Sequence, residues 1–146
     1  HLEACLLDSL KKRVNFLEET FQLLKLENIT AIHGRAEEFA KNKAYRETYD
    51  LCVSRAVSNL ATLSEYCLPY VKIGGFFISY KSGTVQEEVE QAQKAVKILG
   101  GRIQDVVYFQ LPDSEIQRSL VVIEKVKATT GRYPRKAGTP LKEPLS

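Results

Sequence analysis

Short apolar segments alternate with segments of helical periodicity along most of this chain, and this alternation limits the folds that it can adopt. Residues 2–7 (LEACLL) form the first apolar segment. In the segment after it, apolar residues recur at intervals of three and four: Leu10, Val14, Leu17, Phe21 and Leu24. This spacing predicts a strand followed by an amphipathic helix. Repetition of such a pair is typical of an α/β fold with a mostly parallel sheet.

The same pattern continues to about residue 99. It predicts, in order, a strand at 28–33, a helix at 37–43, a strand at 49–54, a helix at 60–71, a strand at 76–80 after a Gly74-Gly75 turn, and a helix at 85–99. The strand at 49–54 (YDLCVS) shows no alternation of apolar and polar residues, which predicts burial on both faces.

Two more strands, at 103–111 and 118–126, are separated only by a short polar turn containing Pro112-Asp113-Ser114. No helix fits between them, so the simplest connection is a hairpin. A hairpin places one antiparallel strand in a sheet whose other strands are parallel.

Positive charge is concentrated at the C-terminus. The net charge of the 146 residues is +3, but residues 126–146 hold five basic residues and one acidic residue, leaving 16 basic and 17 acidic residues elsewhere. The sequence therefore predicts a near-neutral domain at 1–126 and a basic tail at 127–146. Such a tail is either an arm that binds phosphates or a solvated, disordered segment.

Other broad classes of protein are disfavoured. No apolar segment approaches the roughly 20 residues that cross a bilayer, which predicts a cytoplasmic protein without a membrane partner. Cys5, Cys52 and Cys67 are widely spaced within apolar segments. This placement favours buried, reduced thiols over a disulfide framework or a metal site, and no residue cluster requires a metal.

Polar residues follow the predicted strands where each strand ends. Asp8 follows the first strand, Ala36 and Glu37 follow the second, and Arg55 and Lys81 follow the next two. The carboxyl ends of parallel strands meet at one edge of a sheet, where ligands bind in open α/β folds. We therefore expect these residues to line one site.

Each of these residues also has a structural interpretation. Asp8 can accept from ribose hydroxyls or can cap the helix that follows it. Glu37 can accept from an exocyclic amine, with the Ala36 amide donating to a ring nitrogen, or can be a favourable charge on a first helical turn. Arg55 and Lys81 need an ion pair or a route to water.

Several motifs resemble one family. LLDSLKKRVNFLEE, HGRAEEF, SRAVSNLATLSEYCLPYVKIGG, SYKSG and the tail RYPRKAGTPLKEPL are similar, in this order, to the RsmG (GidB) family of ribosomal RNA guanine-N7 methyltransferases. The resemblance covers nearly all of the chain. It implies a class I, Rossmann-like methyltransferase sheet that binds S-adenosyl-L-methionine and acts on 16S ribosomal RNA or the small ribosomal subunit.

The resemblance also implies residue roles. Asp8 would lie near the cofactor ribose, Ala36 and Glu37 near its adenine, and Arg55 near the cofactor and the target base. The residues that would face RNA are Lys81, Arg135 and Lys136. No catalytic acid, base or nucleophile is implied, in agreement with the absence of a nucleophile–histidine–acid pattern in the sequence.

One part of the family pattern has no counterpart. The family's first strand and glycine-rich loop, which holds the methionine part of the cofactor, do not occur here, so we expect residues 1–126 to be part of a longer methyltransferase domain. The sheet is then expected to have a gap, two unpaired strand edges and exposed apolar surface. Two alternatives stay open: a non-catalytic RNA-binding remnant, and another nucleotide-dependent enzyme on a similar sheet.

Overall fold

The computed structural model describes residues 1–55 and 58–146, so two positions of the SRAV motif lie outside the described residues. Strands and helices alternate in the order that the periodicity predicts. The described residues form β1 (Ala4–Asp8), α1 (Lys11–Leu23), β2 (Ile29–His33), α2 (Ala36–Phe39), β3 (Tyr49–Ser54), α3 (Leu60–Cys67), β4 (Val71–Ser82), α4 (Gln86–Ile98), β5 (Gly101–Gln110), β6 (Gln117–Lys125) and α5 (Thr139–Lys142).

These strands form two separate sheets. β1 and β2 pair in parallel, and the second sheet has the order β3-β4-β6-β5. β3 and β4 are parallel, whereas β6 is antiparallel to both β4 and β5. The predicted α/β fold with one antiparallel strand from a C-terminal hairpin is therefore confirmed, and β6 lies between β4 and β5.

The expected gap lies between the two sheets. Within residues 1–55 and 58–146, β1 pairs only with β2 and β3 pairs only with β4, so each has one unpaired edge. The prediction that β3 is buried on both faces is wrong: Leu51 is 50% exposed and Val53 is 54% exposed. Leu51 and Val53 are apolar, as a buried strand requires, but no described element covers their side chains.

The connection between α3 and β4 differs from the prediction in two ways. The helix ends at Cys67, and residues 68–70 (LPY) form a 3-10 turn. A proline removes a backbone donor and disfavours continuation of an α-helix, so Pro69 explains the early end. Gly74-Gly75 lies within the long strand β4 rather than in a turn between elements, and Gly74 has a φ of 88° that favours glycine.

The main core belongs to the four-stranded sheet. Phe77 of β4 and Val121 and Ile123 of β6 are fully buried, and residues of α3 and α4 pack against them. By contrast, Val14 is the one buried residue of α1. Of the three free cysteines, Cys67 is buried and the other two are half-buried. The four-stranded sheet is therefore the part best supported by burial of apolar surface.

The basic tail is folded against the body rather than solvated. The Arg46 guanidinium donates to the carbonyl oxygens of Thr129, Thr130 and Tyr133 at 2.9–3.0 Å. The Arg135 side chain donates to both carboxylate oxygens of Glu65, from Nε at 3.0 Å to Oε1 and from Nη2 at 2.7 Å to Oε2. The alternative of a disordered tail is therefore wrong for this segment, although its charge still distinguishes it from residues 1–126.

A buried lysine connects the end of β6 to the α3–β4 connection. The Lys125 side chain is fully buried, and its Nζ donates to the carbonyl oxygens of Leu68 at 2.7 Å and Val71 at 2.9 Å. Glu47 Oε2 lies 3.2 Å from the same nitrogen. Burial lowers the pKa of Lys125, and the neighbouring Glu47 opposes that shift.

The ion pair between Arg135 and Glu65 predicts a large loss of stability on removal of the arginine. Glu65 is fully buried, so Arg135→Ala leaves an unpaired buried charge, and we expect the free energy of unfolding to fall by about 3 kcal/mol or more. Denaturant unfolding of the intact protein measures this loss.

The adjacent Lys136 provides the control, because it is exposed. We expect Lys136→Ala to change the free energy of unfolding by less than about 0.5 kcal/mol. Adding Glu65→Gln to Arg135→Ala should recover part of the loss, because the unpaired charge is removed. Equal stabilities of Arg135→Ala and Lys136→Ala would contradict the assignment.

Candidate cofactor and RNA site

The carboxyl ends of the parallel strands are adjacent within each sheet. Asp8 at the end of β1 is in register with His33 at the end of β2, and the Gly34 amide donates to the Asp8 carbonyl at 3.0 Å. In the other sheet, Ser54 of β3 is in register with Ser79 of β4. The first sheet thus brings Asp8 close to the loop before α2, and the second brings the ends of β3 and β4 together.

Asp8 has a local structural role. Its Oδ1 accepts from the Leu10 amide at 2.8 Å, immediately before α1. Leu10 is the N-cap of α1, and no side chain caps this helix, so Asp8 orders the turn before α1 rather than capping it as the alternative predicted. Its Oδ2 is 3.5 Å from Arg13 Nη1, the outer limit of a hydrogen bond, so this oxygen retains the capacity to accept from a hydroxyl group. The ribose contact stays a prediction.

Ala36 and Glu37 begin α2. The Ala36 amide is on the first helical residue and has no intrahelical acceptor, so it can donate to a ligand. The Glu37 side chain is buried, and its Oε1 accepts from the Gly138 amide of the tail at 2.9 Å. One carboxylate oxygen is therefore bound by the tail, while Oε2 is the oxygen left to accept from a ligand.

Tyr70 holds α2 against the rest of the protein. Its hydroxyl donates to the Ala36 carbonyl at 2.6 Å. Burial is the largest cause that raises the pKa of Tyr70, followed by the nearby Cys52, Cys67, Tyr49 and Glu37, whose negative forms also disfavour a phenolate. The phenol therefore stays protonated, and keeps donating to the Ala36 carbonyl, over the pH range in which most proteins are stable.

Arg55 and Lys81 have different surroundings. Arg55 is exposed just after β3, so its charge is solvated by water, which is one of the two interpretations given above. Lys81 Nζ donates to Glu88 Oε1 and to the Ser58 carbonyl, both at 2.7 Å, and only 9% of its side chain is exposed. The ion-pair interpretation of Lys81 is therefore supported, and its contact with RNA stays a prediction.

The two tail cations also differ. Arg135 is committed to Glu65, and its Nη2 additionally donates to the Glu143 carbonyl at 2.7 Å. Lys136 is exposed and lies between two anchors, the Arg135 amide on Glu65 at 2.8 Å and the Gly138 amide on Glu37. Arg135 therefore fixes the position of the tail, whereas Lys136 presents its ammonium group to solvent. The RNA contact of each residue stays a prediction.

The sequence did not identify the residues that hold this arrangement. Glu65 lies in the apolar segment LATLSEYCL, and a lone carboxylate in such a segment is a signal for a buried ion pair. Arg46 and Tyr70 carry no comparable signal, because the hydrogen bonds of Arg46 to the tail and of Tyr70 to Ala36 join residues more than 30 positions apart.

The burial of Tyr70 predicts sensitivity to alkaline pH. Because its pKa is raised in the folded state, its contribution to stability is present below the ordinary value of 10.0 and is lost as pH rises above it. We expect the difference in unfolding free energy between the wild type and Tyr70→Phe to shrink between pH 9 and pH 11, as measured by denaturant unfolding.

At pH 8 the same substitution should cost about 1 kcal/mol, the usual contribution of one hydrogen bond. Tyr108→Phe is the matched control, because Tyr108 is 50% exposed on β5. A difference between wild type and Tyr70→Phe that does not depend on pH would contradict the buried, protonated phenol.

The fold is similar to those of several solved structures. The TYW2 protein of M. jannaschii in complex with AdoMet matches with a TM-score of 0.62 at 12% identity, over 85% of this chain and 58% of that one. NSun6 from Pyrococcus horikoshii with SFG matches with a TM-score of 0.64 at 15% identity, over 86% of this chain and 42% of that one. At these identities the likeness concerns the fold alone.

Sequence comparison identifies the family. A protein from Lachnoclostridium phytofermentans named "Ribosomal RNA small subunit methyltransferase G" is 54% identical over 144 residues, which are 99% of this chain and 60% of that protein. Its namesake from Clostridium novyi is 53% identical over 140 residues, 96% of this chain and 58% of that protein. The chain thus spans about 60% of the length of these relatives. The family model GidB, described as rRNA small subunit methyltransferase G, matches residues 1–121, and the chain therefore belongs to this family.

Proposed function

We propose that the intact protein containing this chain transfers a methyl group from S-adenosyl-L-methionine to N7 of a guanine in 16S ribosomal RNA, in the cytoplasm. Membership of the rRNA small subunit methyltransferase G family is the observation that carries this proposal. The Rossmann-like fold supports it, because related folds include a protein solved in complex with AdoMet.

The residues at the carboxyl edge suit the adenosine part of the cofactor. Asp8 Oδ2 can accept from a ribose hydroxyl, and Glu37 Oε2 can accept from the exocyclic amine of adenine. The Ala36 amide can donate to a ring nitrogen, and Tyr70 fixes the orientation of that peptide segment through the Ala36 carbonyl. When bound, the cofactor supplies an electrophilic methyl group on a sulfonium.

The reaction needs no general base. Guanine N7 carries a lone pair and no proton, so the protein has to align the two reacting groups and exclude water from them. Arg55, exposed at the end of β3, lies at the edge that the cofactor and target base would share. Its guanidinium can orient the base or a flanking phosphate through charge-assisted hydrogen bonds.

The tail contributes to RNA binding mainly through Lys136. Arg135 acts indirectly in this proposal, because its ion pair with Glu65 places the tail against the same edge. Lys81 lies close to that edge on β4. Its pairing with Glu88 partly neutralises its charge, so it attracts a phosphate less strongly. The proposal therefore ranks Lys136 and Arg55 above Lys81 as cations that contact RNA.

Cofactor binding separates the methyltransferase from the non-catalytic RNA-binding alternative. We expect calorimetric titration with S-adenosyl-L-methionine to detect binding to the intact protein and none to the 146-residue chain alone. The reason is that the strand and loop expected to hold the methionine part of the cofactor belong between β1 and β3, which are unpaired with each other here. S-adenosylhomocysteine serves as the control ligand and should bind the same site. Absence of binding to the intact protein would favour the remnant.

Arg55 provides the sharper test of the site. We expect Arg55→Ala in the intact protein to lower the rate of methyl transfer to small ribosomal subunits at least tenfold, about 1.4 kcal/mol. Its Tm should change by less than about 3 °C, because an exposed side chain contributes little to stability. A labelled methyl donor and subunits that lack the modification measure the rate.

Lys43→Ala is the matched control for this experiment, because Lys43 is an exposed cation in the loop after α2. Its rate should remain within about twofold of wild type. The assignment of Arg55 to the site fails if its substitution lowers activity only to the extent that it lowers the folded fraction.

A further inference from the structure

A groove of about 610 Å³ lies between the C-terminal half of α4, the start of β5 and the segment that follows β6. Four of its nine lining residues are cationic: Lys94, Lys97, Arg102 and Lys127. No acidic residue of the described chain is among the nine. We call this surface the α4–β5 groove.

Most of the positive charge in this groove is uncompensated. Arg102 is paired with Glu124 on the adjacent strand. Lys94, Lys97 and Lys127 are exposed, and no ion pair to them occurs within residues 1–55 and 58–146. Like charges held close together repel each other, so an anion that contacts all three is favoured by charge complementarity.

The backbone fixes the positions from which these lysine side chains extend. The amides of Val126 and Lys127 both donate to the Gly100 carbonyl, at 2.9 and 3.1 Å. Gly100 has a φ of 89°, and a Cβ there would lie 2.2 Å from the Lys127 carbonyl oxygen. This tight turn holds Lys127 beside the end of α4. Lys94 and Lys97 are three positions apart on α4, so they lie on one face of that helix.

The floor of the groove is apolar. Val96 is buried, and Val126 is 40% exposed beside it. Lysine side chains can lay their aliphatic stems on such a floor while their ammonium groups stay in water. A row of cations above an apolar floor suits a strand of nucleic acid, which offers phosphates along one side and sugar and base surfaces along the other.

The groove is remote from the candidate cofactor site. β5 begins at Gly101, which is in register with Lys125. Arg55 follows the end of β3 and Lys81 lies near the end of β4, at the opposite edge of the sheet. The part of β4 that pairs with β6 runs from Phe76, near the groove, to Ser82, near Lys81. These six residue steps separate the two sites by roughly 20 Å at about 3.3 Å per step. One nucleotide is too short to contact both sites, but a folded RNA is long enough.

We propose that the α4–β5 groove binds the phosphate backbone of the RNA substrate at a point roughly 20 Å from the methylated base. This inference rests on the proposed function for the identity of the polyanion as ribosomal RNA. The groove sets the position of the RNA on the protein and carries no sequence information, as is usual for phosphate contacts. It contributes to substrate affinity and leaves cofactor binding unchanged.

The test compares two triple variants of the intact protein. Lys94→Gln/Lys97→Gln/Lys127→Gln removes the free cations of the groove. Lys11→Gln/Lys12→Gln/Lys25→Gln removes the same charge from exposed positions in and just after α1, on the other sheet. Binding of protein-free 16S ribosomal RNA is measured over a series of salt concentrations, together with calorimetric titration of S-adenosyl-L-methionine.

We expect the groove variant to bind the RNA at least tenfold more weakly at low salt. The slope of log affinity against log salt should fall in magnitude by about 2 to 3, because each lost phosphate contact contributes roughly 0.7–0.9. The KM for RNA should rise while the Kd for the cofactor stays at the wild-type value. The α1 variant should show a small change in both the slope and the KM.

Three results would overturn the inference. The salt slope of RNA affinity could be unchanged in the groove variant, or it could change equally in the α1 variant. A loss of affinity seen only with assembled subunits would indicate a protein partner instead of RNA. Each single Lys→Gln variant should show about one third of the change in slope, so the inference remains testable if a triple variant is unstable. A wild-type protein that binds cofactor but no ribosomal RNA would overturn the proposed function as well.

Discussion

The buried carboxylate of Glu65 is the constraint on which the arrangement of the candidate site depends. A fully buried charge is tolerated only with a partner, and that partner is Arg135, from a tail 70 positions away. Once the arginine is bound, the short segment after it lies over α2 and places the Gly138 amide on Glu37. The same contact leaves Lys136 exposed between two fixed points, so one ion pair orders both a proposed adenine contact and a proposed RNA contact.

This arrangement gives the positive charge of the chain two functions. Arg46, Lys125 and Arg135 have buried or half-buried side chains that donate to backbone carbonyls or carboxylates. Arg46 and Arg135 hold the tail to the body, whereas Lys125 joins the end of β6 to the α3–β4 connection. Lys94, Lys97 and Lys127 line the α4–β5 groove at the other end of the sheet and form no ion pair with any described residue. Net charge alone leaves open whether the basic tail binds phosphates or is solvated and disordered. The structure separates the cations that stabilise the fold from those available to a polyanion.

The two sheets explain why local patterns failed at β3. Its central residues 51–53 are apolar, which predicts a buried strand, yet in the described residues β3 has one paired edge and Leu51 and Val53 are exposed. Burial depends on which elements lie on both sides of a strand, and a local pattern contains no information about its neighbours. The early end of α3 has a different cause, because Pro69 disfavours continuation of the helix although the apolar residues continue to Val71.

The sequence alone determined the order of strands and helices, the antiparallel hairpin and the family. These features depend on local periodicity, turn residues and contiguous motifs, all of which are properties of neighbouring residues. It also identified Asp8, Ala36, Glu37, Arg55 and Lys81 as residues at strand ends. Only the tertiary structure decided which of their polar groups are bound within the protein and which are free. The carboxylate of Glu37 accepts a hydrogen bond from the tail, Lys81 is paired with Glu88, and Arg55 is exposed to solvent. Such contacts join residues that are distant in sequence or depend on what packs around them, so local patterns do not predict them.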